Sequence, residues 1–289
     1  MPFAPLPTAR IFYADIGAGP AILTTHGMAE NHLYWALPGV ADALVAAGYR
    51  VVSMDMRGHG RTRIEGEPAG YDVETVASDI GALADHLGLE RFHLLTHATG
   101  GMAGLRYAMG NHPRVLSLMS TNTGSATAPT DGAADAADPK ARFDVFLGEV
   151  RNLAPLFRGK TWVQIIEGAR LGARQDVFLN SLHLAVDPKA AFGWYEACSR
   201  LGDPDTLADF MSVFYADPNP YIERLRQIGC PCLVLVGEND RMFVKPSEQL
   251  AREIPGARHV VLKGRGHMLA FEDPQAVTRE LLGFLASLP

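Results

Sequence analysis

Three separated stretches carry residue types that belong together in acyl-transfer chemistry. His267 lies in Gly264-Arg265-Gly266-His267, just past an apolar run, and Asp240 lies in Gly237-Glu238-Asn239-Asp240, just past another. A carboxylate beside a histidine fixes the imidazole tautomer and stabilises the imidazolium, which makes a general base. The third stretch, Leu94-Leu95-Thr96-His97-Ala98-Thr99-Gly100-Gly101, passes from apolar residues to small ones and then into a helical pattern. Such a strand-to-helix turn lifts one side chain above a sheet edge, where a nucleophile would stand. Ala98 occupies that position and offers no nucleophile, so covalent catalysis has no atom to start from.

The elements that must position these residues alternate between strand and helix. Short apolar strands are expected over residues 21–25, 51–55, 92–96, 115–120, 232–236 and 259–262. Residues 10–16 alternate weakly and lead into Gly17-Ala18-Gly19-Pro20, which reads as a hairpin-like turn. The clearest helix spans about 72–87, where Val73, Val76, Ala77, Ile80, Leu83, Ala84 and Leu87 follow a helical spacing and Gly88 ends it. Others are expected at 39–47, from Thr99 to about Met109, from near Pro246, and from Pro274 to Ser287. The alternation predicts an α/β fold, a mostly parallel central sheet covered by helices on both faces. It fails at Gly124. A polar connector to Pro139 and several short helices up to about residue 228 follow. The simplest organisation is a core of residues 1–124 and 228–289 with an inserted helical cap, 125–227.

Composition narrows the function classes. The 289 residues carry a net charge of −6 and no basic block, so a nucleic-acid partner is not expected. No apolar run reaches membrane-spanning length and no signal peptide is visible at the start. The three cysteines, Cys198, Cys230 and Cys232, show no disulfide framework and read as buried thiols. These features suggest a cytoplasmic protein without cofactor or metal, and leave its oligomeric state open.

The order of the motifs resembles the α/β-hydrolase superfamily with a helical cap, near its esterase, lactonase and haloperoxidase-like branches. The matching stretches are Thr25-His26-Gly27-Met28, Asp55 to Thr62, Thr96 to Gly101, Gly237 to Asp240, and Gly266 to Pro274. The resemblance implies that His267 is the general base, Asp240 its acid, and the backbone amides of Met28 and Thr99 the oxyanion hole. An alternative acid position after the 115–120 strand reads Thr121-Asn122-Thr123, without a carboxylate. Two departures stand out: Thr96 replaces a usual small residue, and Ala98 replaces the serine.

Three readings of Ala98 follow. The leading one is a serine hydrolase whose nucleophile has been replaced, leaving a variant that traps its substrate. The others are a natural ligand-binding pseudoenzyme, and a cofactor-free His–Asp oxygenase or lyase. The aromatic content of residues 143–215, together with Trp35, Met268, Trp162 and Trp194, suggests a pocket for a small or medium hydrophobic ester or lactone. His183, Arg170, Arg174 and Arg200 are candidates to read a polar group on it. His26, Arg57 and His59 read as loop organisers, His93 and His97 as satisfied core groups, and Glu272 and Asp273 as caps of the final helix.

Overall fold

The computed structural model describes residues 2–125, 153–172, 178–216 and 221–289. Among the described residues nine strands form one sheet: β1 (Phe3–Leu6), β2 (Ala9–Gly17), β3 (Ala21–Thr24), β4 (Arg50–Met54), β5 (Arg63–Ile64), β6 (Phe92–His97), β7 (Val115–Thr121), β8 (Cys232–Gly237) and β9 (Arg258–Leu262). Their spatial order is β1-β2-β4-β3-β6-β7-β8-β9, with β5 paired to β2. From β4 onward through that order every pairing is parallel, while β1 and β2 run antiparallel to their neighbours.

The central strands are buried along nearly their whole length because both faces are covered. Successive residues point to opposite sides. In β8, Cys232, Val234 and Val236 join one core, and Leu233 and Leu235 join the other. The first core receives α3 (Val73–His86) and α4 (Ala98–Asn111) through Ile80, Leu83, Met102 and Leu105. The second receives α1 (Leu33–Ala36), α2 (Val40–Ala46) and the last helix, Pro274–Leu285, through Tyr34, Val40, Leu44, Val277 and Leu281. Asp72 starts α3 by accepting the Thr75 amide at 2.9 Å, the usual way to satisfy an orphan helix N–H.

The expected hairpin at Gly17–Pro20 is corrected by the pairing. β4 lies between β2 and β3, so the turn crosses over β4 instead of joining neighbours. It lies against the chain below: a methyl on Gly19 would come 2.1 Å from Gly48 O.

Between β7 and β8 the described residues are helical or irregular. They include short helices at Ala154–Phe157, Trp162–Gly172, Pro188–Ser199 and Pro204–Phe214. The predicted connector beyond Ser125, together with Phe143, Phe146 and Arg174, lies outside the described residues. Among the described residues no helix is long and apolar enough to cross a membrane. All three cysteines are buried and free.

Candidate active site

β6 ends at His97 and α4 begins at Ala98 with no loop between them. The chain turns within one residue. Ala98 does this at φ 44°, in the left-handed region, where a residue with a Cβ bears a cost of ~1–3 kcal/mol. Its surroundings hold it there: Thr123 Oγ1 donates to Ala98 O at 2.7 Å, and Gly100 N donates to His26 O at 2.9 Å. A methyl on Gly100 would lie 2.4 Å from His26 O, and one on Gly101 would lie 2.5 Å from Thr123 Cβ. Only glycine lets the helix start this close to the strand ends. The unusual Thr96 is accommodated by Gly104, where a methyl would meet Thr96 Cγ2 at 2.6 Å.

Asp240 follows β8 and His267 follows β9, two adjacent parallel strands, so the pairing register brings the loops together. His267 Nδ1 donates to Asp240 Oδ2 at 2.8 Å, which leaves Nε2 for chemistry. Asp240 is fully buried, and a carboxyl group removed from water needs hydrogen-bond partners. They are supplied by Asn122 Nδ2 at 2.6 Å to the same oxygen and by the Met242 and Phe243 amides at 3.1 and 3.2 Å to Oδ1. Asn122 also donates to Gly266 O at 2.9 Å, tying the acid to the histidine loop. The backbone accommodates this with Asn122 at φ 48°. In the sequence, position 122 is marked only by its lack of a carboxylate, and nothing local identifies Asn122 as a donor to Asp240.

Glu272 clamps the other side of the loop. Its carboxylate accepts the Gly266 amide at 2.5 Å and the Met268 amide at 2.8 Å, the two peptides flanking His267. Burial pushes its carboxyl up to about 7. The expected cap of the last helix is Asp273 alone, which accepts Ala276 N at 3.0 Å. The His267 ring is sandwiched laterally by Phe243, stacked at 5.4 Å, and Phe178, edge-on at 4.7 Å.

These residues border a cavity of about 470 Å³. Ala98, Thr99, Met28, Glu30, His267 and Met268 form its inner end, and Phe157, Ile165, Phe178, Tyr195 and Phe243 supply apolar walls. Among the described residues the amides of Met28 and Thr99 have no protein acceptor. Thr99 stands in the first turn of α4, where the helix dipole favours negative charge. Thr99 Oγ1 forms a short hydrogen bond with the hydroxyl of Tyr215, which burial pushes well above the ordinary tyrosine range. A carbonyl placed beside Ala98 would meet an amide pair able to hold an oxyanion and a His–Asp pair able to move a proton.

Trp35, Trp162, Trp194 and His183 do not line this cavity. Trp35 is 1% exposed, and its Nε1 donates to Thr25 O at 2.9 Å inside the second core. Trp162 donates to Gly202 O at 2.5 Å and borders a separate crevice with Gly60. An indole N–H removed from water takes a carbonyl acceptor, and for both residues that acceptor lies away from the cavity. Trp194 packs toward Phe271 at 6.1 Å, on the second-core side. His183 lies edge-on to Phe192 at 5.0 Å with Nε2 buried and unpartnered. Of the arginines, Arg170 pairs with Glu196, and neither it nor Arg200 borders the cavity. Met268 does line it.

His26 and His59 organise backbone. His26 Nδ1 donates to Gly27 O at 2.7 Å and its Nε2 accepts Met56 N at 3.0 Å. His59 Nδ1 donates to Arg57 O at 2.8 Å, and burial lowers its pKa to about 4. Arg57 forms a bidentate pair with Asp79 at 2.7 and 3.1 Å. Among the described residues, no group of three or more His, Cys, Asp or Glu side chains is arranged to hold a metal ion.

A parallel sheet with an elbow at its centre and an acid and a histidine on the next strand ends defines a hydrolase class. The chain belongs to the alpha/beta hydrolase fold family, whose pattern matches residues 20–274. It is 30% identical to the non-heme chloroperoxidase CPO-A1 of Kitasatospora aureofaciens, covering 96% of each chain. It is 28% identical to a 2-hydroxy-6-oxononadienedioate/2-hydroxy-6-oxononatrienedioate hydrolase of Cupriavidus pinatubonensis, over 96% of this chain and 91% of that one. In three dimensions it resembles the enol-lactonase of Burkholderia xenovorans LB400, with a TM-score of 0.76 at 21% identity over 99% and 100% of the two chains. Its relatives are hydrolases and haloperoxidases.

Proposed function

We propose that this chain binds a small or medium hydrophobic carboxylic ester or lactone and hydrolyses it slowly, with His267 activating water directly. The supporting observation is that Ala98 and His267 border the same apolar cavity beside the Met28 and Thr99 amides. The ester carbonyl sits against those amides. His267 Nε2 takes a proton from water as the water oxygen attacks the acyl carbon, and Asp240 stabilises the imidazolium. The tetrahedral oxyanion is held by the amides until the alcohol departs. No acyl-enzyme forms, because Ala98 has no hydroxyl. The site otherwise matches a serine hydrolase whose nucleophile has been replaced, so long residence of intact ester is part of the same reading. Residues 125–227 act as a cap over a core of 1–124 and 228–289.

The test is to compare the chain with Ala98→Ser on short p-nitrophenyl esters and a simple lactone. Slow turnover that His267→Ala abolishes, and a large gain with a detectable acyl-enzyme in Ala98→Ser, are the expected results. A folded Ala98→Ser protein that neither acylates nor turns over any of these compounds would overturn the reading.

A further inference from the structure

The inner end of the cavity holds a second titratable group that the proposed mechanism leaves unused. Glu30 borders the cavity yet is 3% exposed, and among the described residues no lysine or arginine pairs with it. A methyl built on Gly27 would meet Glu30 Oε2 at 2.9 Å, His97 Cδ2 at 3.0 Å and Ala98 Cβ at 3.2 Å. Carboxyl, imidazole and elbow therefore converge on one point beside the nucleophile position.

The hydrogen bonds fix which atoms carry protons there. Glu30 Oε2 accepts the Gly27 amide at 2.6 Å. The Thr121 hydroxyl has a single proton and two neighbours, the Thr96 carbonyl at 3.0 Å and His97 Nδ1 at 3.0 Å. A carbonyl can only accept, so Thr121 donates to it and accepts from Nδ1–H. His97 is then the tautomer with a bare Nε2. Among the described residues that Nε2 is buried without a hydrogen-bond partner, and it lies 3.6 Å from Glu30 Oε1. A carboxylate charge facing an imidazole lone pair is repelled, whereas a carboxylic acid O–H is attracted. Burial moves both groups the same way, raising Glu30 well above and lowering His97 well below their ordinary ranges. Tyr34, Tyr215 and Cys198 also sense Glu30, and burial raises all three, keeping them neutral as well.

We propose that Glu30 is a protonated carboxylic acid at the elbow and donates the proton to the departing alkoxide. This rests on the hydrolytic reading given above. Water attacks the acyl carbon, forming the new C–O bond and passing one proton to His267 Nε2. The tetrahedral oxyanion collapses, the bond to the alkoxide breaks, and the alkoxide oxygen takes the Glu30 Oε1 proton. The His267 imidazolium returns its proton to the Glu30 carboxylate through water in the cavity, leaving one acid and one alcohol. His267 and Glu30 thus divide the base and acid roles that one histidine performs alone when a serine is present.

Glu30→Gln is isosteric with the protonated acid: it still accepts from Gly27 and donates toward His97 but cannot give up a proton. In a series of esters of one acid, its rate loss should grow from a few-fold for p-nitrophenyl to about 10²-fold or more for ethyl. A second readout does not depend on turnover. The infrared difference spectrum of the parent minus Glu30→Gln at neutral pH, in which the Glu272 contribution cancels, should show a protonated-carboxyl C=O band. An equal loss across the ester series marks Glu30 as a scaffold and overturns the donor role. Absence of the band overturns the protonated state on which it depends. If the parent chain and Ala98→Ser cleave no ester at all, the hydrolytic reading falls and takes the donor role with it, whereas cleavage with an unchanged leaving-group dependence sinks the donor role alone.

Discussion

Asn122 Nδ2 and His267 Nδ1 donate to the same oxygen, Asp240 Oδ2, from 2.6 and 2.8 Å. The acid is therefore held in place from the neighbouring strand as well as by its partner histidine. Asn122→Leu removes that donor and strands Gly266 O. A buried polar group left unsatisfied costs about 1–3 kcal/mol, and the loss should appear as a lower denaturant midpoint with an unchanged slope. An unaltered midpoint would mean that the Asn122 contact contributes nothing net.

Ala98→Ser should acquire covalent chemistry without further change, because the elbow already has the backbone conformation a serine needs. Turnover of p-nitrophenyl acetate is expected to rise about 10³-fold or more over the parent, since losing a triad serine costs on the order of 10⁶ in kcat and leaves only what the oxyanion hole and binding supply. Intact-mass spectrometry after mixing should find the acyl adduct on the introduced serine of that variant and none on the parent.

The contact between Thr96 and Gly104 makes a reciprocal pair. Gly104→Ala places a methyl 2.6 Å from Thr96 Cγ2 and should destabilise by about 1–3 kcal/mol, the usual cost of overpacking. Thr96→Ser deletes that methyl, so the double variant should recover most of the loss. Additive melting-temperature changes in the two variants would contradict the geometry.

Glu272 gives a pH signature whose sign follows from its burial. Its pKa is about 7 in the folded chain against 4.5 for a free glutamate, so between those values the folded state binds more protons than the unfolded one. Stability contributed by this group is full below 4.5 and falls as pH rises toward 7. The difference in unfolding free energy between the parent and Glu272→Gln should slope over that window and flatten above it. A difference independent of pH would show that Glu272 does not titrate there.

The fold was readable in the sequence where burial imposes a pattern. The apolar face of α3 and its Asp72 and Gly88 boundaries agree with the observed Val73–His86. The six apolar strands fall within a residue or two of their predicted limits, since a strand covered on both faces tolerates few polar residues. β1 and β5 were not visible, because short edge strands have no such pattern. The crossover at Gly17–Pro20 was misread because turn residues specify a local bend, not which strand lies beside it. In the site, Ala98, Asp240 and His267 were legible together because each follows an apolar strand. Glu30 and Asn122 were not. Glu30 sits in a polar stretch, Glu30-Asn31-His32, that reads as solvated loop, and Asn122 matters only through a strand pairing distant in sequence. Trp35, Trp162 and Trp194 do not border the cavity, and aromatic type alone says nothing about which way a helix faces.

The adjacency of β7 and β8 has a consequence for how this protein is made. They are hydrogen-bonded neighbours, Leu118 opposite Cys232 and Thr121 opposite Leu235, yet residues 122–231 separate them in the chain. During synthesis the elbow emerges first, and β7 waits with an unpaired edge while residues 122–231 are translated. Asp240 and His267 arrive only with the final strands. A ribosome-bound chain therefore carries an exposed strand edge and no proton-transfer pair, and protection of that edge and completion of the site are the same late event.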